Sequence, residues 1–215
     1  MCNKEKLRVW PAVVRKEILH LLKRLTVKTY GDFSLRIPGE IVKIFGEILE
    51  ATCWAMLEIM DRANGVGLAA QQIGLRERIC VIDTLNQWSS QTLAELDGKN
   101  LLCTEMDITP FPLFLINAKV IDRSKELLEQ GEGCLSIPGV YARTKRPQWV
   151  AVSYQDQHGF FHEIRADGLL GQCLQHEIDH NNGVLFTDES RVHPGDLPTV
   201  QIALEKFSHQ HPVNC

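Results

Sequence analysis

The sequence predicts an α+β protein in which small antiparallel and mixed sheets pack around one central helix. Three observations carry that expectation. Apolar residues recur at the helical period in several stretches, and short apolar runs bounded by turn residues lie between them. One helical stretch, 168–181, also carries His176-Glu177-Ile178-Asp179-His180. At 215 residues the chain reads as a single domain, 1–215, long enough to bury a proper core. A net charge of −4 gives no reason to expect nucleic-acid binding. No apolar run approaches the roughly 18–20 residues of a membrane span. Met1–Arg8 is polar and includes Glu5, unlike a secretory or transit leader. Seven scattered cysteines, an odd number, argue against a disulfide framework and for a reducing compartment.

Along the chain, Val14, Ile18, Leu21, Leu22 and Leu25 predict a helix over 11–25, inside an N-terminal extension of about thirty residues, 1–30. Ile41, Ile44, Phe45, Ile48, Met56, Ile59 and Met60 follow the 3.6 period, predicting one long amphipathic helix over 40–62, ended by Asn64-Gly65. Arg78–Asp83 reads as a strand. Residues 84–110 are polar and weakly periodic, and read as an inserted loop of functional or mobile character. Residues 111–120 predict a strand, and 149–154 with 160–164 a hairpin turning at Asp156-Gln157-His158-Gly159. Asp167 is the expected N-cap of the helix 168–181, and Gly183 its stop. Residues 197–207 predict a last helix.

Two histidines four residues apart project from one helix face, so both rings can reach one metal ion. Glu177 stands beside the first of them, where a general base for water is needed. This motif says metallohydrolase and leaves the third ligand open. A downstream histidine at the metzincin position is excluded, because that position is Phe186. A downstream glutamate, Glu189 or Glu205, is allowed by spacing. So is an upstream cysteine, Cys134, which sits between Gly133 and Leu135-Ser136-Ile137-Pro138. Asp179, or another carboxylate or carbonyl, is expected to orient a ligand histidine. Gly65 to Ala70 fits G-x-G-x-x-A with Asp83 following 18 residues after Gly65, as in a dinucleotide-binding fingerprint. That fingerprint must follow a strand and open a helix. Here a helix precedes and a strand follows, so the segment reads as a loop or edge strand lining a cleft.

Taken together, GVGLAAQQ at 65–72, EGCLS at 132–136 and QHEIDH at 175–180 resemble the three signature motifs of the peptide deformylases, in order and at approximately the same spacing. The resemblance spans roughly residues 40–82 and 112–186. It implies that Cys134, His176 and His180 hold one divalent metal ion, with Glu177 as acid/base and Gln72 and the Leu135 N–H as the oxyanion hole. It also implies that Gly65, Val66 and Gly67 pair with the substrate backbone as an added strand would. Leu169, Gln172 and Cys173 fall where relatives form the methionine pocket, Gln172 being more polar than the usual occupant. Tyr141 stands near the substrate entrance, where many relatives have arginine. The implied reaction removes formyl from the N-terminal methionine of nascent chains leaving the ribosome, releasing formate. The implied ion is Fe(II), with Zn, Ni or Co accepted, and the implied location is a bacterial cytoplasm, with an organelle as the alternative. The alternatives that remain are a peptidase of the H-E-x-x-H type, using a downstream glutamate, and a silent peptide-binding relative in which the metal is only a staple.

Overall fold

The structure is a computed structural model that describes residues 14–84 and 112–210. The expected insertion, apart from Thr84, and the start of the first expected helix lie outside those residues. Four α-helices are described: α1 (Arg15–Leu22), α2 (Glu47–Arg62), α3 (Gly168–Asn181) and α4 (Leu197–Gln210). The strands are β1 (Gly67–Ala69), β2 (Ile79–Ile82), β3 (Leu113–Arg123), β4 (Leu127–Gly133), β5 (Tyr141–Pro147), β6 (Trp149–Gln155) and β7 (Phe161–Asp167). They form an antiparallel five-stranded sheet, β1-β2-β3-β6-β7, and a separate hairpin, β4-β5.

Alternation along the strands explains why 79–82 and 113–116 read as unbroken apolar runs. Cys80, Ile82, Leu113 and Leu115 pack toward Leu170, Cys173, Leu174 and Ile178 of α3. Ile79, Val81, Phe114 and Ile116 point the other way, onto Cys53, Met56 and Met60 of α2. At this end of the sheet both faces are buried, so the period-2 signal is filled in with apolar residues on each side, whereas the far half of β3 and strands β6 and β7 keep one face partly exposed. The helix bearing the H-E-x-x-H motif thus lies against one face of the sheet and α2 against the other. A third cluster gathers Leu35, Ile137, Phe186 and Val200 beneath α4. Val14 and Ile18 of the α1 region pack on Ala51 and Ala55 of α2.

Helix α3 has the bounds expected from sequence, and Gly183 stops it at φ 74°. Asp167 occupies the N-cap position, but its side chain makes no capping hydrogen bond. The long helix expected over 40–62 begins only at Glu47. Tertiary hydrogen bonds pre-empt its first two turns. Glu40 exchanges backbone bonds with Arg76 and Arg78, at 2.6 and 2.8 Å. The Asn117 side chain takes both the N–H and the carbonyl of Val42, at 2.8 and 2.9 Å. Gly46 is extended, and Ile41, Ile44 and Ile48 face solvent although their spacing suited a helix. The hairpin β4-β5 was not legible because its inward residues are polar: Glu132, Thr144 and Arg146 are all buried. Among the described residues, no helix is long and apolar enough to cross a membrane.

Candidate active site and metal centre

The site forms where α3, the end of β4 and the turn after β1 converge. His176 and His180 stand on one face of α3 with ring centroids 4.9 Å apart. Cys134 follows the last residue of β4, and its Sγ lies 3.2 Å from His180 Nε2. One donor atom from each of Cys134, His176 and His180 lies within 4.8 Å of the others. Glu189 instead accepts from Gln201, and Glu205 is exposed on α4, so neither glutamate joins this cluster. The donor set of one thiolate and two imidazoles suits a borderline-soft divalent ion. Two buried polar atoms beside it, Glu177 Oε2 and His180 Nδ1, lack a protein partner among the described residues.

His176 is oriented by Glu132, whose Oε2 lies 3.0 Å from Nδ1. This leaves Nε2 as the ring nitrogen able to bind a metal ion. Glu132 is fixed in turn by Thr144 Oγ1 at 2.6 Å and by a two-pronged contact from Arg146. Arg146 is 1% exposed and continues to Asp179 Oδ2 at 2.8 Å, while Arg191 reaches Asp179 Oδ1 at 2.6 Å. The carboxylate that orients His176 is therefore Glu132. Asp179 binds two arginines and acts one step further out. Burial opposes ionisation of Glu132, but Arg146 and His176 outweigh it and hold the carboxyl well below the usual range. Glu177 Oε2 has no hydrogen-bond partner among the described residues. Burial pushes its carboxyl up to about 7, with nearby His176 working against the shift.

Gln72 sits in the 3-10 turn Ala70–Ile73. Its Oε1 accepts from Ala69 N–H at 2.7 Å, which aims Nε2 at Cys134 Sγ and Ser136 Oγ, each 3.3 Å away. The chain after α1 braces this wall: Lys28 N–H donates to Gln72 O and Tyr30 N–H to Ser136 O, at 2.7 and 2.8 Å.

A cleft of about 590 Å³ opens beside the cluster, within the usual size of a ligand site. It brings together Gln72, Cys134, Leu135, His176 and Glu177; His180 lies behind them, buried. Gly65, Val66 and Gly67 form one wall, running into the edge strand β1, of which Gly67 is the first residue. Gly67 has no room for a side chain: a Cβ there would fall onto the Glu177 carboxylate, 2.9 Å from its Cδ. Leu169, Gln172 and Cys173 also line the cleft, with the Gln172 amide donating to Gly131 O at 2.9 Å. Tyr141 is 78% exposed at the mouth, its ring seated over Gly133. Burial pushes the Cys173 thiol far up, so it serves as wall and not as nucleophile.

An α+β fold with an H-E-x-x-H helix against its sheet, and a carboxylate of raised pKa in a cleft, defines a hydrolase of the H-E-x-x-H class. The model of the polypeptide deformylase family matches residues 24–193. The peptide deformylase of Opitutus terrae is 40% identical over 165 residues, covering 76% of this chain and 83% of that protein. That of Chloroflexus aggregans is 41% identical over 169 residues, covering 78% and 83%. Among solved structures, a Synechococcus elongatus peptide deformylase in complex with actinonin superposes with a TM-score of 0.69 at 36% identity, covering 88% of this chain and 89% of that one. A plant peptide deformylase, PDF1B, gives 0.71 at 30% identity, covering 88% and 94%. The chain belongs to the polypeptide deformylase family, and it is an enzyme.

Proposed function

We propose that this enzyme hydrolyses the N-formyl group from the N-terminal formyl-methionine of nascent polypeptides, releasing formate. The observation that carries this reading is the Cys134, His176 and His180 donor set beside a buried, partner-poor Glu177 in a chain of this family. In this reading those three residues hold one divalent ion, Fe(II) in the cell, with Zn, Ni or Co able to replace it. When bound, such an ion supplies Lewis acidity and brings a water's pKa toward neutrality. The protein's own contributions are separate. A peptide N-terminus lies along Gly65, Val66 and Gly67 as an added strand beside the open edge of β1, with its methionine side chain toward Leu169, Gln172 and Cys173. Glu177, poised near neutral, accepts the proton of the attacking water and then delivers it to the departing amine. Gln72 Nε2 and the Leu135 N–H stabilise the oxyanion on the formyl carbon, each worth about 3 kcal/mol in such sites. Tyr141 offers an aromatic edge at the cleft mouth to residues after the methionine. The substrates are chains leaving a ribosome, in a bacterial cytoplasm on this reading.

The test is formate release from a formyl-Met tripeptide under anaerobic conditions with Fe(II)- or Ni(II)-loaded protein, with acetyl-Met as control. Formyl-selective release is expected. No release from protein shown to hold metal would reject the assignment. The wall at Gly67 gives a sharper expectation. Gly67→Ala should lower turnover by about 10²-fold, because it displaces Glu177 from its working position while leaving the ligands in place. Wild-type turnover in that variant would mean that the placement of Glu177 is not decisive.

A further inference from the structure

A second cleft, of about 360 Å³, opens against a different face of α3 from the donor cluster. Arg146 and Asp179 lie in it, with Arg78, Lys119, Arg123 and Arg191 around them. Its charges do not balance. Arg146 and Arg191 are matched by Glu132 and Asp179. Arg78 donates to the neutral Asn182 amide oxygen at 2.9 Å. Lys119 and Arg123 are exposed on β3, and neither head group meets an acceptor among the described residues. The carboxylate next to Arg123, Asp122, accepts from the Arg123 backbone N–H. Among the described residues, three cations in this one concavity thus have no ion-pair partner, in a chain whose net charge is −4.

We propose that this cleft binds a compact phosphate anion of the pyrophosphate or oligophosphate type. Guanidinium forks and an ammonium are the groups that recognise phosphate oxygens, and a multiply charged anion relieves their mutual repulsion. A monoanion would leave most of the excess unmet. A single-stranded nucleic acid carries one charge per nucleotide and calls for an extended basic track with aromatic platforms. These cations instead share one pocket, whose lining among the described residues includes no aromatic side chain. The ligand is a free oligophosphate or the phosphate tail of a nucleotide.

The experiment is calorimetric titration of the metal-loaded enzyme with pyrophosphate, ADP and a short RNA, repeated on Lys119→Gln/Arg123→Gln. Both positions are exposed and outside the catalytic cleft, so formyl-peptide turnover should be unchanged. Pyrophosphate should bind the parent, with affinity falling about tenfold or more in the double variant, since each substitution removes a charge-assisted contact. The single variant Arg123→Gln should show part of that loss. Tighter binding of ADP than of pyrophosphate, lost in the same variant, assigns the nucleotide as source; the reverse order assigns the free anion. Equal pyrophosphate binding by parent and double variant would place the anion on the catalytic metal and overturn the proposal. So would absence of binding, or binding of RNA alone.

Discussion

Replacing Arg146 by methionine is expected to cost about 3–5 kcal/mol of folding stability, the usual cost of removing one partner from a buried ion pair. The side chain is 1% exposed and stands between Glu132 and Asp179, whose side chains are 2% and 11% exposed. Its loss leaves two carboxylates facing each other, only one of them still paired with an arginine, Arg191. Arg146→Lys should recover part of the loss, because one ammonium cannot span the fork on Glu132 and the bond to Asp179 at once. Denaturant unfolding of the three proteins checks this. A change below about 1 kcal/mol for Arg146→Met would show that the network is not what fixes Glu132. Metal affinity should fall along with stability, since Glu132 would no longer hold His176 in place, and losses of about 10–100-fold are usual when such a partner goes.

Glu177→Gln should leave fold and metal content intact and lower turnover by about 10²–10⁴-fold, the range that general acid–base catalysis contributes. Glutamine keeps the shape of a carboxyl whose Oε2 has no protein partner among the described residues, so little packing is disturbed. What it loses is the proton transfer, and KM for the formyl peptide should change little by comparison. Turnover of the variant within a few-fold of the parent would remove Glu177 from the mechanism.

Much of this site was legible from residue spacing. Two histidines at i and i+4 and a flanking glutamate need only one helix to be placed, and α3 has the bounds its pattern predicted. Cys134 and Gln72 depended on resemblance, because nothing local in a Gly-Cys-Leu or Ala-Gln-Gln stretch says which side chains will meet across the chain. The network behind His176 was harder still. Glu132, Thr144, Arg146 and Arg191 are polar residues scattered over sixty positions, and polar residues ordinarily read as surface. The burial of Glu132, Thr144 and Arg146 follows from the β4-β5 hairpin, whose inward face carries them and so gave little apolar alternation to detect, while Arg191 lies outside the hairpin and joins them through Asp179. The one signal was Arg146 in a strand whose neighbours Ala142 and Thr144 share its alternate register. The overextended second helix failed for a related reason. Periodicity reports which residues could share a face, while Val42 is held by Asn117, 75 residues away. Asn117 itself adopts φ 56°, a conformation that this non-glycine residue sustains while its side chain holds three hydrogen bonds.

The most direct test of the central claim, that Cys134, His176 and His180 form one metal site, is elemental analysis of anaerobically purified protein beside Cys134→Ala and Glu177→Gln. About one equivalent of divalent metal is expected in the parent and in Glu177→Gln, and loss of most of it in Cys134→Ala, whose remaining pair of imidazoles is one ligand short of a usual catalytic site. A full equivalent retained by Cys134→Ala would contradict it and return the third ligand to another residue.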